Sequence, residues 1–260
     1  MKMVCKLCRS KTELCNSHAI PDSLFRVIFR ANSGKAIELN DTIDKPIGYS
    51  QDSWATDQLC ERCEQKINQS YEQYSLKALR GAYGGFTRLD DGVLFESLDT
   101  LKIRQFIAAI MWRASVSDHT SYKAISLPDK LNEKMRFSLN TLSLISKRTL
   151  SIRGFKLVDS VDGGFTREHL RECIISPFTR RYLDSNNKLG NTVCFIFLGF
   201  LFEVFLSGYP KDSSYHSEFI GFNKQSYKFK YLEITEIPEV FEVMVQAYSK
   251  HKEGHTKIKC

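Results

Sequence analysis

Two short cysteine pairs constrain this chain more than any other feature of its sequence. Cys5 and Cys8 form one C-x2-C pair, and Cys60 and Cys63 form a second, with residues 9–59 between them. Each C-x2-C turn directs two thiolates at one point, and two such turns complete the tetrahedral four-sulfur site that structural zinc prefers. The pattern therefore predicts a structural Zn²⁺ bound by these four cysteines. Small buried thiols or a redox-active pair are the alternatives.

The distance between the pairs restricts the local fold. Residues 9–59 are far more than the ~15 to 20 residues that separate the pairs of a compact zinc finger. The second pair opens the segment LCERCEQKINQSYEQYSLKALRG, which is predicted to be one long helix ending at Gly81. A knuckle, a hairpin and a helix whose first turn supplies the last two thiolates form the treble-clef arrangement.

The bulk composition is that of a globular protein. The chain has 260 residues, of which 42% are hydrophobic and 26% charged, so it can bury a substantial core. Its longest apolar stretch, 193–206, contains Glu203 and is shorter than the ~18 to 20 residues that cross a bilayer. The start MKMVCKLC has no apolar signal core, which predicts a cytoplasmic protein without a membrane partner. Eight cysteines in such a chain favour metal binding or burial over a disulfide framework.

The positive charge is concentrated in the middle of the chain. The net charge is +7, and residues 100–182 hold 15 Lys and Arg against 7 Asp and Glu, whereas residues 1–75 hold 10 of each. A basic segment of this kind predicts a polyanionic partner such as nucleic acid. An ordinary basic surface is the alternative. Arg180 and Arg181, in SPFTRRY, are candidate phosphate contacts or else a solvated pair.

The remaining pattern predicts an α+β fold in two domains. Residues 1–81 are predicted to form the zinc-binding treble-clef domain, and residues 92–260 a basic, helix-rich α+β body with some antiparallel strands. Between them, AYGGFTRLDDG is rich in turn residues and is interpreted as a linker. Residues 32–58 are interpreted as an insertion loop or irregular hairpin. The body is predicted to have helices at 98–117, 127–146 and 238–252, and strands at 150–165, 193–206 and 226–237.

CKLCRSKTELCNSHAI is interpreted as a zinc knuckle followed by a short hairpin, and the next segment, PDSLFRVIFR, is predicted to be a helix. Pro21 suits its first turn, and Asp22 suits the positive end of the helix dipole. Leu24, Val27 and Ile28 are expected to share its buried face.

Three short motifs carry a resemblance to a known family. CKLC, SHAIP and LCERCE resemble the zinc-stapled branch of the HNH endonucleases, whose pattern is CxxC, a (D/E)HIxP-type hairpin and an LCxxC(N/H) helix start. This resemblance covers residues 1–75. The chain also resembles a group of bacterial proteins with an SHIIP motif, an LCxxCE helix and a WRAS segment, which residues 102–117 match. The second resemblance extends through much of the chain and implies no activity.

The nuclease resemblance implies a catalytic role for His18. In these enzymes the hairpin histidine is the general base that takes a proton from the attacking water, and one Mg²⁺ or Mn²⁺ stabilises the charge on the phosphate. An imidazole with a pKa near 6.5 suits this role. Glu64 and Asn68 are the candidate catalytic metal ligands. With Glu72, a weaker candidate, they follow an i, i+4, i+8 spacing that places them on one stripe of a helix.

Two positions depart from the family pattern. Ser17 precedes His18 where the family has an acidic metal ligand, and a neutral hydroxyl binds Mg²⁺ less well than a carboxylate. Glu64 stands where the family has Asn or His. His18 could instead be a structural ring or a zinc ligand, and Glu64 an acid that stabilises the helix start. Arg113, in a mostly apolar segment, is interpreted as a paired arginine in preference to a phosphate contact.

The sequence supports two main hypotheses of function. The first is a metal-dependent HNH-like endonuclease that hydrolyses DNA or RNA. By resemblance it acts in bacterial defence against phage, beside a partner ATPase or another defence component, and a homo-oligomer is left open. The second is a catalytically inactive, zinc-stapled nucleic-acid-binding or adaptor protein, in which Ser17 marks the loss of chemistry. A function of the body, with the zinc segment as a staple or oligomer contact, is a third alternative.

Overall fold

The structure, a computed structural model, combines α-helices and β-sheets and so confirms the predicted α+β class. It describes residues 2–39, 44–183, 189–206 and 217–258. The body was predicted to be rich in helices with some antiparallel strands, but its central element is a seven-stranded sheet. Residues 193–206 read as one apolar strand, but they span two strands joined by a turn whose first residue, Leu198, is itself apolar.

The amino-terminal segment contains three short antiparallel strand pairs and one helix. The pairs are β1 (Met3–Val4) with β2 (Lys11–Thr12), β3 (Cys15–His18) with β6 (Ala55–Leu59), and β4 (Ala36–Glu38) with β5 (Gly48–Ser50). The predicted irregular hairpin therefore contains β4, β5 and β6, while its residues 40–43 lie outside the described residues.

Helix α1 (Asp22–Ala31) follows Pro21 as predicted, but its buried face differs from the prediction. Leu24 and Phe25 are buried, whereas Val27 is 48% exposed. The ring of Phe25 packs against Trp54 at a centroid distance of 5.2 Å. A residue that is distant in the sequence therefore contributes to the buried face of this helix.

The predicted long helix after the second cysteine pair is continuous but not regular. It consists of α2 (Glu61–Ile67), a π-helical turn (Asn68–Glu72) and α3 (Gln73–Leu79). It ends before Gly81, whose φ of +84° lies in the left-handed region that glycine adopts without strain. A π turn has i→i+5 hydrogen bonds and therefore more residues per turn than the α-helical segments on either side.

The helices of the body are α4 (Thr100–Ser115), α5 (Asp129–Thr141), α6 (Arg167–Glu172) and α7 (Pro238–Lys252). Three of these confirm predicted helices, while α6 was not predicted. Helix α4 is buried on nearly all sides, as expected of a helix that is apolar around its circumference. Phe106 contacts the sheet through Phe197, and Arg113 on the same helix contacts Glu64 of α2. Helix α4 therefore contacts both the amino-terminal segment, residues 1–81, and the sheet of the body.

The seven-stranded sheet has the order β10-β11-β12-β9-β13-β8-β7. The strands are β7 (Thr87–Leu89), β8 (Gly92–Phe95), β9 (Ser151–Val158), β10 (Ile175–Leu183), β11 (Leu189–Phe197), β12 (Phe200–Phe205) and β13 (Tyr227–Glu233). Neighbouring strands are antiparallel except β13 and β9. Leu198 and Gly199, both with positive φ, form the two-residue turn between β11 and β12.

The predicted linker is partly structured, because it supplies β7 to the sheet of the body. One hydrophobic cluster contains residues of both predicted domains, such as Leu59 and Ile67 from the first and Trp112 and Met135 from the second. The two parts therefore share a core. Within the described ranges, no helix has the length and apolar character needed to cross a membrane.

Candidate metal centre and histidine site

The four predicted zinc ligands converge on one point. The sulfur atoms of Cys5, Cys8, Cys60 and Cys63 all lie within 4.8 Å of one another. Tetrahedral zinc with Zn–S bonds of about 2.3 Å requires sulfurs roughly 3.8 Å apart, and the Cys8 and Cys60 sulfurs are separated by 3.9 Å. The prediction that these cysteines form a site able to bind a metal ion is confirmed, and its geometry is compatible with structural zinc.

Backbone hydrogen bonds hold the first cysteine pair against the start of α2. The Cys60 N–H donates to the Cys5 sulfur at 3.3 Å, and the Lys6 N–H donates to the Gln58 carbonyl at 2.9 Å. Cys60 is the N-terminal capping residue of α2, and Cys63 lies in its first turn. The helix start therefore positions the second pair, as the sequence predicted.

The charge balance of this cluster also favours a bound cation. Burial opposes ionisation of Cys8, but hydrogen bonds from Ser10 outweigh burial and lower the pKa of this thiol to about 6. Burial raises the pKa of the Cys5 and Cys63 thiols. A divalent cation offsets this desolvation by stabilising the thiolates directly.

His18 ends β3 and lies in a polar, mostly buried position. Its Nε2 is 2.9 Å from Ser53 Oγ and 3.5 Å from Asp22 Oδ1, and its side chain is 15% exposed. Burial lowers the pKa of His18, Asp22 opposes this, and Arg113 adds to the lowering. The ring is therefore neutral at neutral pH and retains a nitrogen lone pair. Because Ser53 and Asp22 both face Nε2, they do not form a Ser–His–Asp relay, which requires the two partners on opposite nitrogens.

Ser17 points away from His18, as neighbouring residues of a strand do. It is fully buried. Its hydroxyl donates to the Cys15 carbonyl at 3.2 Å and accepts from the Leu59 N–H at 3.1 Å. The residue that stands where the family has an acidic metal ligand therefore stabilises the β3–β6 hairpin instead.

Glu64, predicted as a catalytic metal ligand, is engaged by an arginine. Nη2 of Arg113 donates to both carboxylate oxygens of Glu64 at 2.9 Å, and Nη1 lies 3.7 Å from Glu72. The Arg113 side chain is only 4% exposed. The prediction that Arg113 is paired is confirmed. The predicted role of Glu64 does not fit this arrangement, because a guanidinium already occupies its oxygens.

Asn68 is half-buried and begins the π-helical turn. The predicted stripe assumed a regular α-helix, and Glu64 and Glu72 still share a face across the π turn, because the one guanidinium of Arg113 contacts both. Among the histidine, cysteine and acidic side chains that the structure describes, only the four zinc-type cysteines are grouped closely enough to hold an ion. These residues therefore do not fit a preformed site for a catalytic Mg²⁺ or Mn²⁺.

The loop at residues 51–54 completes the site, and sequence analysis missed it. Ser53 contacts His18, while the preceding Asp52 contacts His119 Nε2 at 3.0 Å. Trp54 has a φ of +59°, which is uncommon for a bulky residue. Its N–H donates to Asp52 at 2.8 Å. No local signal marks Ser53, because its contact with His18 joins residues that are far apart in the sequence.

The predicted phosphate contacts differ from each other. The Arg180 guanidinium contacts Glu239 at 2.9 and 3.2 Å, so its charge is largely neutralised within the protein. Arg181 is exposed on β10. Arg153 also pairs, with Glu203 at 2.6 Å. Much of the basic excess of the middle segment is therefore consumed by internal ion pairs.

The chain matches no family model, no curated protein and no solved structure. Its function is therefore argued from the site itself: a four-cysteine cluster that joins a hairpin to a helix, a neutral imidazole at the end of that hairpin, and acidic and basic side chains around the ring.

Proposed function

We propose that this chain is an HNH-like nuclease that hydrolyses phosphodiester bonds of DNA or RNA on a zinc-stapled treble-clef head. The observation that carries the proposal is the state of His18. The ring ends the hairpin strand that follows the first cysteine pair, and burial keeps it neutral at neutral pH. A neutral imidazole can accept a proton from an attacking water.

The surroundings of His18 support chemistry on an anionic substrate. Asp22 lies against Nε2 and favours the protonated ring that forms when the base accepts a proton. Arg26 and Arg113 both act electrostatically on His18. Arg26 is 65% exposed but forms an ion pair with Asp22, so a phosphate would compete with that carboxylate. The Ser53 hydroxyl lies 2.9 Å from His18 Nε2. A water that gives its proton to this nitrogen would therefore have to displace the hydroxyl.

The side chains at the metal-ligand positions of the family pattern are engaged within the protein. Glu64 is held by Arg113, and Ser17 is turned into the hairpin, so neither is arranged as a ligand. No catalytic step is assigned to a metal ion here. A comparison of cleavage in Mg²⁺, in Mn²⁺ and in EDTA therefore measures whether the reaction requires a divalent cation. By motif resemblance, the proposal extends to bacterial defence against phage beside a partner ATPase.

A second candidate function is favoured by the same ion pair. If Arg113 permanently replaces a catalytic cation beside Glu64, the head is a zinc-stapled nucleic-acid-binding or adaptor module without hydrolytic activity. The buried Ser17 supports this alternative, because it removes the acidic ligand of the family pattern.

A cleavage assay separates the two. Single- and double-stranded DNA and RNA are incubated with the purified chain in Mg²⁺, in Mn²⁺ and in EDTA. The nuclease proposal expects cutting that His18→Ala reduces by at least about a hundredfold. His251→Ala is the control, since His251 is exposed on α7 and lies outside the His18 site, and it should retain cutting.

Two outcomes count against hydrolysis at His18. Cutting by His18→Ala at the rate of the unmodified chain would assign the activity to another site or to a contaminant. Binding of nucleic acid without cutting under all three conditions would establish the second candidate instead.

A further inference from the structure

A second concave site lies where the end of α3 meets β8, β9, β12 and α6, and none of its lining residues belongs to the His18 site. Its volume is about 120 Å³, on the order of ten times what one water needs. Its walls are largely apolar and aromatic, and include Phe86, Phe95, Leu198, Phe200 and Tyr231. Five cationic side chains also line it: Arg80, Arg88, Lys156, Arg167 and Arg171.

These five cations lack the carboxylate partners that other basic residues of the body have. Arg113, Arg153 and Arg180 each form an ion pair. Within the described part of the chain, none of the five forms an ion pair with a carboxylate, and Glu168 is the one acidic residue of the lining. A pocket with five positive charges and one negative charge has a strongly positive potential that attracts an anion.

Lys156 is the half-buried member of this group. Its ammonium lies 4.2 Å from the Phe200 ring centroid and donates to the Leu198 carbonyl at 3.4 Å. Burial, followed by repulsion from Arg171 and Arg167, lowers the pKa of Lys156 to about 8. Removing a cation from water beside other cations is unfavourable unless an anion joins them.

Leu198 and Gly199, in the turn between β11 and β12, lie next to this ammonium. A Cβ atom at position 199 would lie 2.8 Å from Lys156 Nζ and would displace the end of the lysine side chain, and the φ of +69° at this position also favours glycine. Leu198 has a φ of +54°, which is uncommon for leucine, and its carbonyl accepts the Lys156 hydrogen bond. A backbone carbonyl therefore contacts the ammonium at the pocket, and none of the described carboxylates forms an ion pair with it.

The aromatic walls indicate the other half of the ligand. Phe86 is 43% exposed, and the Arg88 guanidinium lies 5.9 Å above its ring. Exposed phenyl and guanidinium planes are surfaces on which a nucleobase stacks.

We propose that this pocket binds a nucleotide phosphate, with the phosphate at Lys156, Arg167 and Arg171 and the base against Phe86 and Arg88. The ligand is a free mononucleotide or the phosphorylated 5′ end of a strand, which share this chemistry. The inference does not depend on hydrolysis at His18.

Calorimetric titration of the full chain tests the proposal. The probes are AMP, adenosine, inorganic phosphate, and oligonucleotides with a 5′-phosphate or a 5′-hydroxyl. AMP or the 5′-phosphorylated strand should bind at least about tenfold more tightly than adenosine and inorganic phosphate, because charge-assisted and stacking contacts act together. The better of the two identifies the source of the nucleotide.

Variants assign the binding to the pocket. Lys156→Met should weaken it by about tenfold or more, and so should Arg171→Met, whose exposed side chain can change without disturbing the core. Lys228→Met is the control, because Lys228 lies on β13 outside the lining and pairs with Asp91; its affinity should match that of the unmodified chain. Absence of saturable binding, phosphate binding as tight as AMP, or unchanged affinity in both pocket variants would overturn the proposal.

Discussion

Arg113 and Lys156 are both withdrawn from water, but their surroundings differ. Arg113 is held by Glu64 and Glu72 and contributes to the contact between two helices. Lys156 lies in an open pocket beside Arg167 and Arg171, with a carbonyl and a phenyl ring as its neighbours. A buried cation with its anions present is neutralised within the fold, whereas a group of cations without them attracts an anion that arrives from outside. The comparison separates structural charge from charge that is available to a ligand.

Replacement of a cysteine of the four-cysteine cluster should have the largest effect, and the effect should be greatest next to the cluster. Metal binding by a structural zinc site contributes about 10–16 kcal/mol, and the cluster positions the start of α2, where Glu64 lies. Cys60→Ser should therefore abolish amide protection in β3 and β6, and should lower it less in β11 and β12, which share a hydrophobic cluster with the amino-terminal segment. Hydrogen exchange and zinc content measure this, with Cys173→Ser, outside the cluster, as the control. Equal loss of amide protection in β3 and β6 and in β11 and β12 would contradict a local effect of the cluster.

Replacement of Arg113 should give the next largest effect. Arg113→Met leaves Glu64 and Glu72 without their cation, and removal of one partner from a buried ion pair costs about 3–5 kcal/mol. The free energy of unfolding, measured with denaturant, should fall by that amount, and adding Glu64→Gln should restore part of it. A loss of less than about 1 kcal/mol would show that the pair behaves like an exposed one.

Lys156→Met should have the opposite sign and should stabilise the ligand-free protein. The pKa of Lys156 falls from 10.5 to about 8 on folding, so below pH 8 the folded state carries the full cost of its charge. After allowance for solvent screening, this cost is on the order of 2 kcal/mol at pH 7.

Between about pH 8 and 10.5 the unfolded state binds more protons, so the stability of the unmodified chain should rise with pH in that window. The advantage of Lys156→Met should therefore shrink there. Thermal melting at pH 7 and at pH 10 measures both effects. Destabilisation by Lys156→Met at pH 7 would make this lysine structural, like Arg113.

The smallest expected effect concerns His18. Its pKa is lowered on folding from 6.5, mainly by burial. The unfolded state therefore binds more protons just below pH 6.5, and stability should fall as the pH drops through that range. His18→Gln should flatten this dependence in melting experiments between pH 5 and 7. Asp22→Asn should steepen it, because Asp22 opposes the lowering. An unchanged slope in His18→Gln would show that another group controls it.

The sequence was most informative where function depends on closely spaced residues. The two C-x2-C pairs identified the metal-binding cluster, because the geometry of each pair is set within a few residues. The helices α4, α5 and α7 were also predictable, since their apolar patterns repeat along the chain. The π turn at Asn68–Glu72 was not, because it departs from the regular spacing on which such predictions depend.

The sequence by itself therefore determined the cysteine cluster and the α+β class. The short hairpin predicted between the first cysteine pair and α1 was wrong for His18, because its strand pairs with β6, far along the chain. Only the tertiary structure decided what surrounds each charge: that Glu64 is bound by Arg113, that Ser53 contacts His18, and that Lys156 lies beside Arg167 and Arg171. The physical reason is that the pKa and role of an ionisable group depend on its burial and on the charges near it. Those neighbours come from distant parts of the chain, so local spacing does not specify them.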